Sequence, residues 1–129
     1  MAPNIVTDIR VVEFVSEQLS TSFIPPFTTI GLEKDGAIIA GVIFHCFEGP
    51  NVHLTIAGSG WTRGLLKAVG SYVFETLGCE RFTLTTEKPE VAKLGERLGG
   101  VTEGIMRNQF GNGRNAFLVG VLKDEYRFK

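Results

Sequence analysis

Between Asn51 and Thr86 the apolar positions change their period twice. Val52, Leu54 and Ile56 alternate with Asn51, His53 and Thr55, which predicts a strand. From Leu65 the spacing becomes helical: Leu66, Val69, Val73 and Leu77 form a stripe that Leu65, Tyr72 and Phe74 widen. Gly78 sits where a helix stops, and Phe82 and Leu84 restart the alternation in a strand over Cys79–Thr86. Between the first strand and the helix lies a glycine-rich turn, Gly58-Ser59-Gly60-Trp61-Thr62-Arg63-Gly64. A strand that runs through glycines into a helix leaves backbone N–H groups free and presents the positive end of a helix dipole. That combination suits phosphate.

The remaining pattern extends this unit on both sides. Thr7-Asp8 precedes a moderately amphipathic helix to about Ser20, with Val12, Val15 and Leu19 on one side. Phe23 to Phe27 contains Pro25-Pro26 and is not helical; it closes an edge of the core or forms a flap on the substrate side. Thr28 to Glu33 reads as a strand, Lys34-Asp35-Gly36 as a hairpin turn, and Ala37 to Phe47 as a central strand covered on both faces. After Thr86, Pro89 suits a first helical turn, and Val91, Leu94 and Leu98 give that helix one buried stripe. Gly99-Gly100 ends it. Val101–Phe110 and Arg114–Leu122 then form a hairpin across Gly111-Asn112-Gly113. The expected fold is an α/β mixed, mostly antiparallel sheet with helices on both faces. Its centre is the strand–glycine turn–helix–strand unit, which needs a parallel strand pair.

Composition narrows the function classes. A chain of 129 residues, 43% hydrophobic and 21% charged, is expected to form one domain over 1–129. Its net charge of −1 argues against general nucleic-acid binding, which needs a basic face, but leaves a small anionic ligand open. Two cysteines, Cys46 and Cys79, lie far apart, and there are two histidines, so no metal site is expected. Free thiols fit a reducing compartment. No long apolar run marks a membrane span or a signal segment, so a cytoplasmic protein is expected.

Several short pieces, in order, resemble the GNAT acyltransferase superfamily, and more particularly its small phage-encoded members. They are Asn51-Val52-His53-Leu54-Thr55-Ile56-Ala57, Trp61-Thr62-Arg63, Tyr72-Val73-Phe74, Leu77-Gly78-Cys79-Glu80-Arg81, Leu98-Gly99, Glu103-Gly104-Ile105-Met106-Arg107 and Glu125-Tyr126-Arg127-Phe128. The resemblance runs from about Thr28 to the end. It implies transfer of an acyl group, most commonly acetyl, from acyl-coenzyme A to an amine. It implies that Ile56 and Ala57 pair with the pantetheine arm, and that Gly58, Ser59, Gly60, Trp61, Thr62, Arg63 and Gly64 wrap the pyrophosphate. Lys88 reaches the adenosine end or is solvated. For a phage-encoded member the compartment would be the host cytoplasm, and a homodimer through an exposed edge or the C-terminal hairpin is an open possibility.

The chain also departs from the family pattern. The asparagine common ahead of the following helix is replaced in the Lys88-Pro89 region, and the tyrosine that protonates the departing thiolate aligns with Gly95. Gly100 follows the Leu-Gly pair where a Phe is common.

Amine acylation needs a neutral nucleophile, a donor for the developing oxyanion and a proton for the thiolate. A backbone N–H near Ile56 suits the oxyanion. His53 is the expected general base, because its ordinary pKa lies near neutrality; the other reading is a histidine held within the sheet or orienting substrate. His45 on the neighbouring strand is its possible companion, and Glu48 at the turn is a carboxylate base or a solvated residue. Trp61 packs the helix on the sheet or stacks on the donor. Arg63 faces phosphate or solvent. Cys46 and Cys79 read as small buried residues, the sequence showing no base beside either; Tyr126 is a weak candidate for the missing acid. Two functions follow: an acyl-coenzyme A-dependent N-acyltransferase working through a ternary complex, or a silent module on the same fold that binds coenzyme A or a protein partner.

Overall fold

The computed structural model describes residues 2–129. Its elements are β1 (Asn4–Val6), α1 (Ile9–Leu19), β2 (Phe27–Lys34), β3 (Ala37–His45), β4 (Asn51–Gly58), α2 (Arg63–Gly70), β5 (Arg81–Thr86), α3 (Pro89–Arg97), β6 (Val101–Met106) and β7 (Ala116–Leu122). The strands form one seven-stranded sheet in the order β1-β2-β3-β4-β5-β7-β6. Every neighbouring pair is antiparallel except β4 and β5, which are parallel, as a strand–helix–strand crossover requires.

The two faces of the sheet divide the apolar residues by alternation. On one face Val42, Leu54, Phe82, Leu84 and Val119 meet Leu65, Leu66 and Val69 of α2, together with Ala92, Leu94 and Leu98 from α3 and the turn after it. The valine, leucine and phenylalanine side chains among these, fully buried, stabilise by about 1.5–3 kcal/mol each. The other face is covered by α1 over β2, β3 and β4, where Val15 packs on Ile43 and Ala57. Gly31 and Gly41 let α1 approach: a Cβ on either would stand 2.8 Å from a valine methyl of α1.

Four boundaries differ from the sequence expectation. β1 lies ahead of the first helix and pairs Asn4–Val6 with Glu33–Gly31; three residues are too few to show a period. β3 stops at His45, because Cys46 takes a left-handed conformation with φ 51°. α2 does not continue regularly to Leu77: from Ser71 to Thr76 the backbone widens into a π turn, with Leu77 N–H on the Tyr72 carbonyl. The last hairpin is shorter, with β6 ending at Met106 and β7 starting at Ala116. Asn108 explains the early end of β6: its side chain accepts from Gly113 N–H and its own N–H donates to Asn115, tying the loop internally.

Candidate active site

The site begins where two parallel strands part. β4 and β5 pair from Asn51–Arg81 to Leu54–Leu84, and no further. Yet β4 continues to Gly58 and β5 to Thr86. Ser59 N–H bonds the Ile39 carbonyl on the β3 side. By the two-residue alternation of an antiparallel ladder, Ala57 and Thr55 also face β3, and the N–H and C=O of Ile56 face the gap. An extended ligand that enters this gap meets a strand edge already shaped to pair with it.

The glycine turn lies at the open end of the gap. Gly58 and Gly60 have φ of 97° and 81°, and a Cβ on Gly58 would fall 2.2 Å from the Ile39 carbonyl oxygen, so only glycine fits there. Thr62 caps α2: its hydroxyl accepts from Leu65 N–H at 3.1 Å. None of the five amides from Gly60 to Gly64 donates to an acceptor among the described residues. Five free amides at a helix N-terminus form an anion-binding concavity. Arg63 is at the first helical position and exposed, its guanidinium 5.6 Å from the centroid of Phe128. Together with Gly64, Lys67, Phe128 and Lys129 it lines a cleft of about 280 Å³. Lys88 starts α3 at the same end of the sheet, with its N–H on Thr86 Oγ1; no contact joins it to the glycine turn among the described residues. Trp61 is half-buried and packs against the core beside Leu66 and Leu98, which answers for its presence.

The histidines stand on the α1 face beside the point of divergence. His53 and His45 are cross-strand partners, ring centroids 6.2 Å apart. His53 is partly exposed, with Nε2 3.9 Å from Glu48 Oε1, an attractive distance too long for a direct hydrogen bond. His45 is held more firmly. Its Nε2 lies 2.8 Å from the hydroxyl of buried Thr55, and Phe23 sets an edge against its ring. Burial, with the charge of His53 second, holds the His45 pKa below its ordinary value, so this ring is neutral at neutral pH. A separate polar group lies beside them on β4 and β5: Thr83 donates to Asn51 Oδ1, and Arg81 donates to Thr83 Oγ1 and pairs with Glu103 at 2.8 Å. Gly120 gives that ion pair its place, since a Cβ there would meet Glu103 and Arg81.

Two sequence readings need correction, those of Tyr126 and Cys46. Tyr126 is not an acid at the site. It is 3% exposed in the opposite core, its hydroxyl donates to the Leu66 carbonyl, and burial raises its pKa. Cys46 is exposed, and it does have a base: its Sγ lies 3.5 Å from His45 Nδ1. Only Cys79 is buried. Gly95 could not carry a tyrosine, because Val119 and Leu84 stand 3.0 and 3.1 Å from where its Cβ would be. Thr55, Thr83 and Asn51 are not site candidates in the sequence reading, although the alternation there sets Asn51 and Thr55 on the same side of β4 as His53.

No family model matches the chain, and no curated protein matches it in sequence. Solved structures do match. A mutant of the spermidine N-acetyltransferase of Vibrio cholerae superposes with a TM-score of 0.73 at 15% identity, over 96% of this chain and 95% of that one. A mutant form described as a spermidine/spermine N-acetyltransferase of the same organism gives 0.73 at 16%, over 97% of each chain. A third, a dodecameric structure of the spermidine enzyme, gives 0.71 at 15% over 95% and 94%. The chain has the GNAT fold. In the GNAT-fold chain described here, the parted strands and the free-amide turn occupy one end of the sheet, and the two histidines flank the start of the gap.

Proposed function

We propose that the protein is an acyl-coenzyme A-dependent N-acyltransferase, with acetyl-coenzyme A as donor. The observation that carries this reading is the gap between β4 and β5 opening onto five unpaired amides at the start of α2. The pyrophosphate would lie on Gly58–Gly64, with Arg63 adding a charge-assisted contact once it leaves the Phe128 ring. The pantetheine arm would pair with the backbone of Ile56, the expected Ala57 contact being lost because the Ala57 backbone is turned to β3, and Lys88 would reach the adenosine end. In this arrangement the thioester carbonyl ends near Ile56, whose N–H is the oxyanion donor.

The amine, an acceptor of unassigned identity, would arrive on the face that carries His53. His53 takes its proton directly or through one water, with Glu48 drawing the imidazolium charge outward. Loss of a proton makes the amine nucleophilic; it attacks the thioester carbon in the ternary complex, and the coenzyme A thiolate leaves. The α3 position at which the family's tyrosine would supply the thiolate's proton is Gly95, packed against Val119 and Leu84. A thiol of pKa about 8.5 leaves without such help. Two free thiols support placing the protein in a reducing compartment such as the cytoplasm.

The test is turnover of acetyl-coenzyme A, followed by release of free thiol, across a panel of amines. With the accepted amine, His53→Gln is expected to lower kcat by about 100-fold or more while donor affinity stays unchanged. An unchanged kcat and pH–rate profile would remove His53 as the base, and no release with any amine would reject the transferase reading.

A further inference from the structure

We infer that Cys46 is a covalent acyl-acceptor site, a thiol activated by His45 that takes apolar acyl groups from thioesters. This goes beyond direct transfer to an amine, and it holds whether or not the glycine turn binds coenzyme A.

The geometry is that of an activated nucleophile: thiol, base, and a third group that orients the base. Cys46 Sγ is 3.5 Å from His45 Nδ1, and His45 Nε2 is 2.8 Å from Thr55 Oγ1. With the Nε2 proton donated to Thr55, Nδ1 is the free acceptor and points at the thiol. Phe23 against the ring and the buried Thr55 keep it in this orientation. The left-handed backbone at Cys46, φ 51°, ends the strand and turns the thiol out of the sheet. Because His45 is neutral at neutral pH, it can accept a proton there. Cys79, buried with a raised pKa, has none of this.

A groove of about 540 Å³ opens at the thiol. Its walls include Ile24, Pro26, Phe27, Phe44, Phe47 and Leu77, and no carboxylate or lysine lines it. Ile24 and Phe47 are 86% and 55% exposed at its lip. Such a surface receives an aliphatic or aromatic acyl chain rather than a polycation. In the reaction, Sγ attacks the thioester carbon while His45 Nδ1 takes the thiol proton. The donor's carbon–sulfur bond then breaks, and the departing thiolate recovers that proton from His45. A thioester is exchanged for a thioester, with no redox partner needed.

The test is intact-mass and peptide mass spectrometry of the full chain incubated with octanoyl-N-acetylcysteamine and, separately, with octanoyl-coenzyme A. One octanoyl group is expected on Cys46, removed by neutral hydroxylamine, with Cys79 unlabelled. The rate should exceed that of an unstructured cysteine peptide by at least about tenfold, and His45→Gln should lower it to the peptide's rate. Labelling of wild-type Cys46 no faster than the peptide would overturn the inference, and so would acyl groups found on lysines instead. Labelling by the small thioester alone, without labelling by the coenzyme A ester, would uphold Cys46 and count against the coenzyme A groove.

Discussion

At the scale of single residues, the site depends on side chains that are missing as much as on those present. Gly58 must pass within contact of the Ile39 carbonyl with φ 97°, whereas Gly49, at φ 73°, has open space around it. Both positions penalise an L side chain by about 1–2 kcal/mol, and only Gly58 adds a clash with backbone. Gly58→Ala is therefore expected to destabilise the fold by about 2–4 kcal/mol and Gly49→Ala by about 1 kcal/mol, read from urea unfolding midpoints. Equal losses would mean that the close approach at Gly58 is not a constraint. The sequence showed that glycines fill this turn but not which one is obligatory, because that depends on β3, eighteen or so positions away in the chain and adjacent only in the folded sheet. A different limit hid the Cys46–His45 contact. Neighbours along a strand ordinarily point to opposite faces, and only the left-handed turn at Cys46 brings the pair together.

At the scale of elements, the reading succeeded where a period is long and failed where geometry departs from it. β4, β5 and α3 were legible from alternation and from the Val91, Leu94 and Leu98 stripe. The π turn after Gly70 was not, since one extra residue in a helical turn leaves a stripe looking continuous. Gly70 itself makes room for Tyr126, whose ring lies 2.3 Å from where a Cβ would stand. The start of α2 carries its own prediction. Thr62→Ala removes the only side-chain cap of that helix, the 3.1 Å bond from Leu65 N–H. A loss of about 1 kcal/mol in unfolding free energy is expected, restored by Thr62→Ser. If the alanine variant melts with the wild type, the cap does not hold the turn in place.

At the scale of the whole molecule, the sheet is a continuous ladder with one tear in it. The tear could not be read from sequence, because Thr55–Gly58 and Thr85–Thr86 keep ordinary strand patterns after their pairing has ended. The family resemblance supplied the expectation of a coenzyme A groove there, and the resemblance alone; spacing did not. On the opposite face the C-terminal tail closes the core, with Arg127 N–H on the Leu98 carbonyl and Tyr126 buried. Burial raises the Tyr126 pKa above its ordinary 10.0. Above about pH 10 the unfolded chain ionises this tyrosine while the folded chain keeps it protonated, so stability must fall as pH rises. Tyr126→Phe should flatten that alkaline fall in thermal melts, and a slope unchanged from wild type would contradict the burial. The account's central claim is that the parted strands and the free amides form one site for an acyl-coenzyme A. Calorimetric titration of the folded wild-type protein with coenzyme A tests it most directly. The account predicts saturable one-to-one binding at about micromolar affinity, near −8 kcal/mol. A folded sample that gives no binding heat and no shift in melting temperature with excess coenzyme A would contradict it.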